Sequence, residues 1–160
     1  MPDLIFYNIK NGINENGNPS WNYKDTDSVR NVMNYILHPE GVNVLFASAI
    51  GLPFDSVNAM SEVFLSTQRI MRQTKGVLIR HEVLAFDEED IKICKGSFLK
   101  LMQAAYNCAC YYGMQGFQTV YAVWESDKEH IRNMHEIHFV INIIQTKLFV
   151  YSRIIISGRS

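Results

Sequence analysis

Gln118-Thr119-Val120-Tyr121-Ala122-Val123, a charged stretch over residues 126–134, then Glu136-Ile137-His138-Phe139-Val140-Ile141-Asn142-Ile143-Ile144: these two runs decide the fold. Both are rich in β-branched and aromatic residues, and the segment between them is short and polar. They predict two strands of an antiparallel hairpin. The second run is the strongest strand in the chain. Period-2 alternation puts Ile137, Phe139, Ile141 and Ile143 on one face and Glu136, His138 and Asn142 on the other. The apolar row reads as the core face, the polar row as a wetter face opposite it.

Working outward, residues 4–9 (LIFYNI) read as a first strand and residues 11–25, dense in Asn and Gly, as a long loop. Asp27 is placed to cap a helix whose apolar residues are Val29, Val32, Met33, Ile36 and Leu37. Pro39 and Gly41 stop it. A short strand follows at 42–46. A second helix starts at Asp55 or Ser56 and runs to about residue 74, with Val57, Met60, Val63, Phe64 and Ile70 as its stripe and Lys75-Gly76 as its end. Residues 77–86 (VLIRHEVLAF) read as a buried strand. The carboxylates of Asp87, Glu88, Glu89 and Asp90 suit the start of a third helix. That helix extends to Tyr112, with a weak point at Gly96 and Gly113 as its C-cap. A last strand is expected at 149–156. Together these elements predict an α+β domain, a central antiparallel or mixed sheet of about five strands with helices packed on one face.

The chain has 160 residues, 48% hydrophobic and 19% charged. That composition builds one domain with a real core and excludes a disordered chain. No apolar run has the ~18–20 residues of a membrane span, and no secretory leader is visible. Three cysteines do not make a disulfide framework, so the cytoplasm is the expected compartment. The formal charge of −1 excludes nucleic-acid binding through bulk charge and leaves only a local basic patch for it. Arg69, Arg72 and Lys75, three residues apart, form such a stripe on the second helix, although a solvated helix face explains them equally. Cys108, Cys110 and the Tyr106, Tyr111, Tyr112 group read as packing.

His130, His135, Glu136 and His138 are the densest set of metal-capable side chains. Glu136 and His138, two apart on one strand face, are spaced to share one divalent ion. Imidazole with carboxylate suits Mn, Fe, Ni or Zn rather than Ca. His135 faces the other way and is the poorer ligand. The alternative is that these are polar residues of a half-exposed strand.

Three segments, in order, resemble the plasmid relaxases of the mobilisation (Mob) nuclease family, within the HUH endonucleases. Asn34-Tyr35-Ile36-Leu37-His38-Pro39-Glu40 looks like the family's first motif, a helix carrying a nucleophilic tyrosine and closed by Pro-Glu. Arg80-His81-Glu82-Val83-Leu84-Ala85-Phe86-Asp87 looks like its middle motif. Thr119–Glu125 with Glu136–Asn142 resembles its strand-loop-strand signature. The resemblance implies an antiparallel sheet with helices packed on it. It implies a nuclease that nicks one strand of a transfer origin, leaving Tyr35 bonded to the 5′ phosphate, with a divalent metal, Mn²⁺ or Mg²⁺. It implies single-stranded DNA and mobilisation or relaxosome proteins as partners, with Arg69, Arg72, Lys75 and His81 as DNA-contacting candidates. Trp124 stands where the family usually has its first histidine and Glu136 where it has the second; His138 keeps the third. Glu136 and His138 are then the expected ligands, and Glu125 or His130 supplies the missing one. The chain ends soon after the last motif, so residues 1–160 are expected to be one relaxase-like nuclease domain, cut short at its C-terminus. A second reading from another class is a degenerate module that binds single-stranded DNA or a mobilisation partner without cutting.

Overall fold

The computed structural model describes residues 3–6, 26–93, 98–125 and 135–146. Its sheet has five strands: β1 (Asp3–Phe6), β2 (Val44–Ile50), β3 (Ile79–Phe86), β4 (Phe117–Trp124) and β5 (His135–Gln145). Their order across the sheet is β1-β3-β5-β4-β2, and every neighbouring pair is antiparallel. The helices are α1 (Thr26–Leu37), α2 (Val57–Ile70), α3 (Glu88–Ile93) and α4 (Phe98–Met114). The α+β class and the β4–β5 hairpin are as the sequence predicts. The long loop over 11–25, the strand at 149–156 and His130 lie outside the described residues.

The helices cover both faces of the sheet, not one. Val29, Val32, Met33, Ile36 and Leu37 of α1, with Met60 and Phe64 of α2, pack on Ile79, Val120, Ala122, Trp124 and Val140. On the opposite face Leu101, Ala105 and Ala109 of α4 pack on Tyr121, Val123, Ile137, Phe139 and Ile141. The row containing Glu136, His138 and Asn142 also contains Val140 and borders Val120 and Ala122, so it is mostly apolar in three dimensions and must be covered. Burying each large side chain there is worth about 1.5–3 kcal/mol. The expectation of a wet face therefore fails: His138 is 2% exposed and Asn142 fully buried. Asn142 meets the cost of burial by accepting from Gln68 Nε2 (3.0 Å) and donating to Phe64 O (3.2 Å) and Gln118 Oε1 (2.9 Å).

Helix boundaries follow local chemistry. Ser56 caps α2 through an Oγ that accepts from Ala59 N (3.2 Å). Asp87 caps α3, its Oδ1 accepting from Asp90 N (2.8 Å). α2 stops at Ile70, the last residue of its apolar stripe and earlier than Lys75-Gly76 suggest. Arg72 adopts a left-handed φ of 56°, Gln73 N donates to Gln68 O and Arg72 N to Arg69 O. That pair of bonds is a Schellman stop. Of the three basic residues, only Arg69 lies on the helix. Of the third helix expected from the carboxylates at 87–90 to Tyr112, the described residues give α3 and α4, and the weak point expected at Gly96 lies outside them. Gly113 lies inside α4 rather than capping it; the left-handed glycine past the helix is Gly116 (φ 89°), and a Cβ at Gly113 would sit 2.2 Å from Ile50 Cγ2. Among the described residues no helix is long and apolar enough to cross a membrane.

Candidate active site

Antiparallel register places Ala122 opposite His138 and Trp124 opposite Glu136 on β4 and β5. On the other side of β5, β3 sets Val83 opposite His138 and His81 opposite Val140. Since directly opposed residues share a face, His81, Trp124, Glu136 and His138 all project toward α1. His81 Nε2 lies 2.9 Å from His138 Nδ1, and His138 Nε2 lies 2.8 Å from Glu136 Oε2. The ionised carboxylate only accepts, so His138 donates from Nε2. Its Nδ1 then accepts, and His81 donates from Nε2. Glu136, at the partly exposed end, His138 and His81 form one hydrogen-bonded chain.

Burial sets the charge of this chain. His81 is 5% exposed, and desolvation, helped by repulsion from His138, holds its pKa down at about 3. Desolvation also lowers His138, while the hydrogen bond and charge of Glu136 pull it back up. Both imidazoles are neutral at neutral pH.

Trp124 closes the chain from one side. Its ring stacks on His138 with centroids 3.8 Å apart and planes 26° from parallel. Its Nε1 donates to the carbonyl of Ile36 (2.8 Å), one of the carbonyls that the end of α1 leaves without a helical partner. That bond draws the last turn of α1 over the cluster and brings Tyr35 with it. The Tyr35 ring presents edge-on to Trp124, His138 and His81 at centroid distances of 5.2, 6.1 and 6.2 Å. Tyr35 is 38% exposed, so a phenol at this cluster is open to solvent on one side.

The other sequence candidates are placed elsewhere. Glu125 accepts from Asn43 Nδ2 (3.0 Å), and its charge acts on His135, on the far face of the sheet. Arg69 donates to Ser66 Oγ (3.0 Å) and lies 3.4 Å from Glu62. Arg72 and Lys75 are exposed beyond the end of α2. The sequence grouped His81 with these surface cations; it is buried and joined to His138. The signal for that was present but needed the sheet order: His81 shares parity with the buried Ile79, Val83 and Ala85, and only the β3–β5 pairing aligns that row with His138.

These residues do not fit a three-ligand divalent centre. One imidazole nitrogen ligates one ion. His81 meets His138 at Nδ1 and Glu136 meets it at Nε2, at opposite ends of the ring, so no single ion gathers all three. The indole of Trp124 has only an N–H, which is spent on Ile36. Among the described residues, no three His, Cys, Asp or Glu side chains converge.

The model of one protein family matches the chain over residues 35–153, from the tyrosine of α1 through β5. Its description is relaxase, MobA/VirD2-like, nuclease domain. No curated protein and no solved structure matches.

Proposed function

The chain belongs to the relaxase family, as a MobA/VirD2-like nuclease domain, and from that premise we propose that it nicks single-stranded DNA at a transfer origin with Tyr35 as nucleophile. The observation that carries this reading is the seat of Tyr35, half-exposed and edge-on over the His81–His138–Trp124 cluster. In this reading the Tyr35 oxygen bonds to phosphorus in line with the bond to the 3′ oxygen. That P–O bond breaks, the 3′ oxygen takes up a proton from solvent and leaves as the hydroxyl, and the 5′ phosphate stays on Tyr35. The ester conserves the bond energy for rejoining. Tyr35 loses its proton as it attacks, to the solvent on its open side, since both ring nitrogens of His138 are engaged. The divalent ion usual in the family enters no step, because the described side chains do not converge on one.

Trp124 favours a second reading, a relaxase-like module that holds single-stranded DNA or a mobilisation partner without cutting it. The indole occupies the position of a family ligand and is fixed there by Ile36. Incubation with labelled single-stranded origin DNA separates the two. The nicking reading expects a covalent adduct that survives denaturation and disappears in Tyr35→Phe, with strand binding kept, since the phenyl ring retains its stacking surface. Wild-type protein that binds the strand but forms no adduct, with or without Mn²⁺ or Mg²⁺, establishes the binding module instead.

A further inference from the structure

We infer that the Glu136–His138–His81 chain replaces the divalent-ion centre of this nuclease domain, and that Trp124 is the residue that holds His138 in the chain. The inference takes from the relaxase reading only the expectation of an ion; the chain itself stands on its own distances.

Both nitrogens of His138 are spent, at 2.9 Å on His81 and at 2.8 Å on Glu136. An ion binding at either end displaces one of these bonds. It can then reach only two of the three groups, because the partners lie at opposite ends of the ring. His81 and His138 are nearly sealed from solvent. Breaking a bond there leaves a buried polar atom unsatisfied, at a cost of about 1–3 kcal/mol. Two side chains, one of them freed only by breaking a buried bond, are a poor return on that cost.

Trp124 adds a steric lock. An indole stacked at 3.8 Å and tethered to the α1 backbone keeps the imidazole in the plane that serves both partners. Histidine at position 124 lacks the second ring and adds a nitrogen with a lone pair. It frees His138 to turn and supplies a ligand opposite Glu136 across the β4–β5 pair.

The test is binding, not cleavage. Mn²⁺ is titrated into the intact chain by calorimetry. Mg²⁺ is added in parallel while the imidazole N–H signals of His81 and His138 are followed by NMR. Wild type is expected to show no site at His138 tighter than about 1 mM. Two Nε2–H signals, one from each ring, should stay unmoved by Mg²⁺. Trp124→His is expected to bind Mn²⁺ at least about tenfold more tightly, a gain of about 1.4 kcal/mol. Trp124→Phe, which keeps an aromatic ring but offers no ligand, should not gain.

Wild-type Mn²⁺ binding tighter than that limit and removed by His138→Gln overturns the inference, and so does a shift of either N–H signal with Mg²⁺. Binding that survives His138→Gln places the ion elsewhere and leaves the chain intact. A folded Trp124→His protein with no gain removes Trp124 from the proposed role. Should that variant not fold, the wild-type signals decide alone. A wild type that binds no ion here and forms no DNA adduct keeps this inference and defeats the nicking reading, so the two fail separately.

Discussion

His81 ties the site to the stability of the fold. Its ring is buried, and desolvation followed by the proximity of His138 holds its pKa at about 3, against an ordinary 6.5. The sign follows from proton counts. As pH falls through 6.5 the unfolded chain takes up a proton at this position, while the folded chain does not until about pH 3. The contribution of His81 is therefore fully present above 6.5 and lost between 6.5 and 3, at about 1 kcal/mol per pH unit. His138, shifted the same way, adds to it. Urea midpoints of wild type are expected to drop steadily as pH is lowered through that window, and His81→Gln should flatten the decline. Equal slopes in the two proteins would show that other groups govern acid unfolding. At this scale the sequence was partly legible. Alternation alone put Glu136 and His138 on one face, because residues two apart in a strand have no other choice. It did not reveal that the face is buried, which depends on α1 and α2. Nor did it reveal the union of His81 with His138, a bond between residues 57 apart in sequence.

At the scale of elements, hydrophobic periodicity located the described helices and strands, and local packing set their ends. All five residues of the α1 stripe are buried, and Ser28 is buried with them. The end of α2 and the interior of α4 depart from the sequence reading for backbone reasons: a left-handed Arg72 at the first, a close approach to β2 at the second. Gly113 is the sharper case, because propensity and packing oppose one another there. Alanine is favoured over glycine in a helix by about 1 kcal/mol. Its Cβ, however, would lie 2.2 Å from Ile50 Cγ2, and overpacking of that kind costs about 1–3 kcal/mol. Packing is expected to win, so Gly113→Ala lowers stability by about 1 kcal/mol in urea unfolding. Ile50→Ala removes the colliding methyl. In the Ile50→Ala/Gly113→Ala pair the alanine at 113 should become neutral or stabilising, a coupling of about 1 kcal/mol or more. Additive losses would mean that Gly113 is needed for something other than its distance from Ile50.

The whole molecule has to bring a polyanion to this site while carrying a formal charge of −1. Long-range attraction is therefore weak, and a strand must be held by a few local cations together with stacking. Composition made that much legible; which cations contribute depends on where the helices end. Arg69, Arg72 and Lys75 were read as one stripe of a helix, but the Schellman stop distributes them over the last turn of α2 and the turn beyond it. All three stay exposed, while the guanidinium of Arg69 is partly engaged by Ser66 and Glu62. Exposed pairs of that kind are worth at most about 1 kcal/mol, so a phosphate can compete for Arg69. A single strand held by these three side chains releases about two counterions, at about 0.7 per phosphate contact. The logarithm of its association constant should then fall against the logarithm of salt concentration with a slope of about −2, measured by fluorescence anisotropy. Replacing all three with alanine should bring the slope close to zero and leave the stacking part of the affinity, because the half-exposed Tyr35 is untouched. If the variant keeps the wild-type slope, the strand does not run past the end of α2. A wild-type slope far steeper than −2 would mean that more cations reach the DNA than this stretch supplies, and the path would then have to be sought across the other basic side chains of the chain.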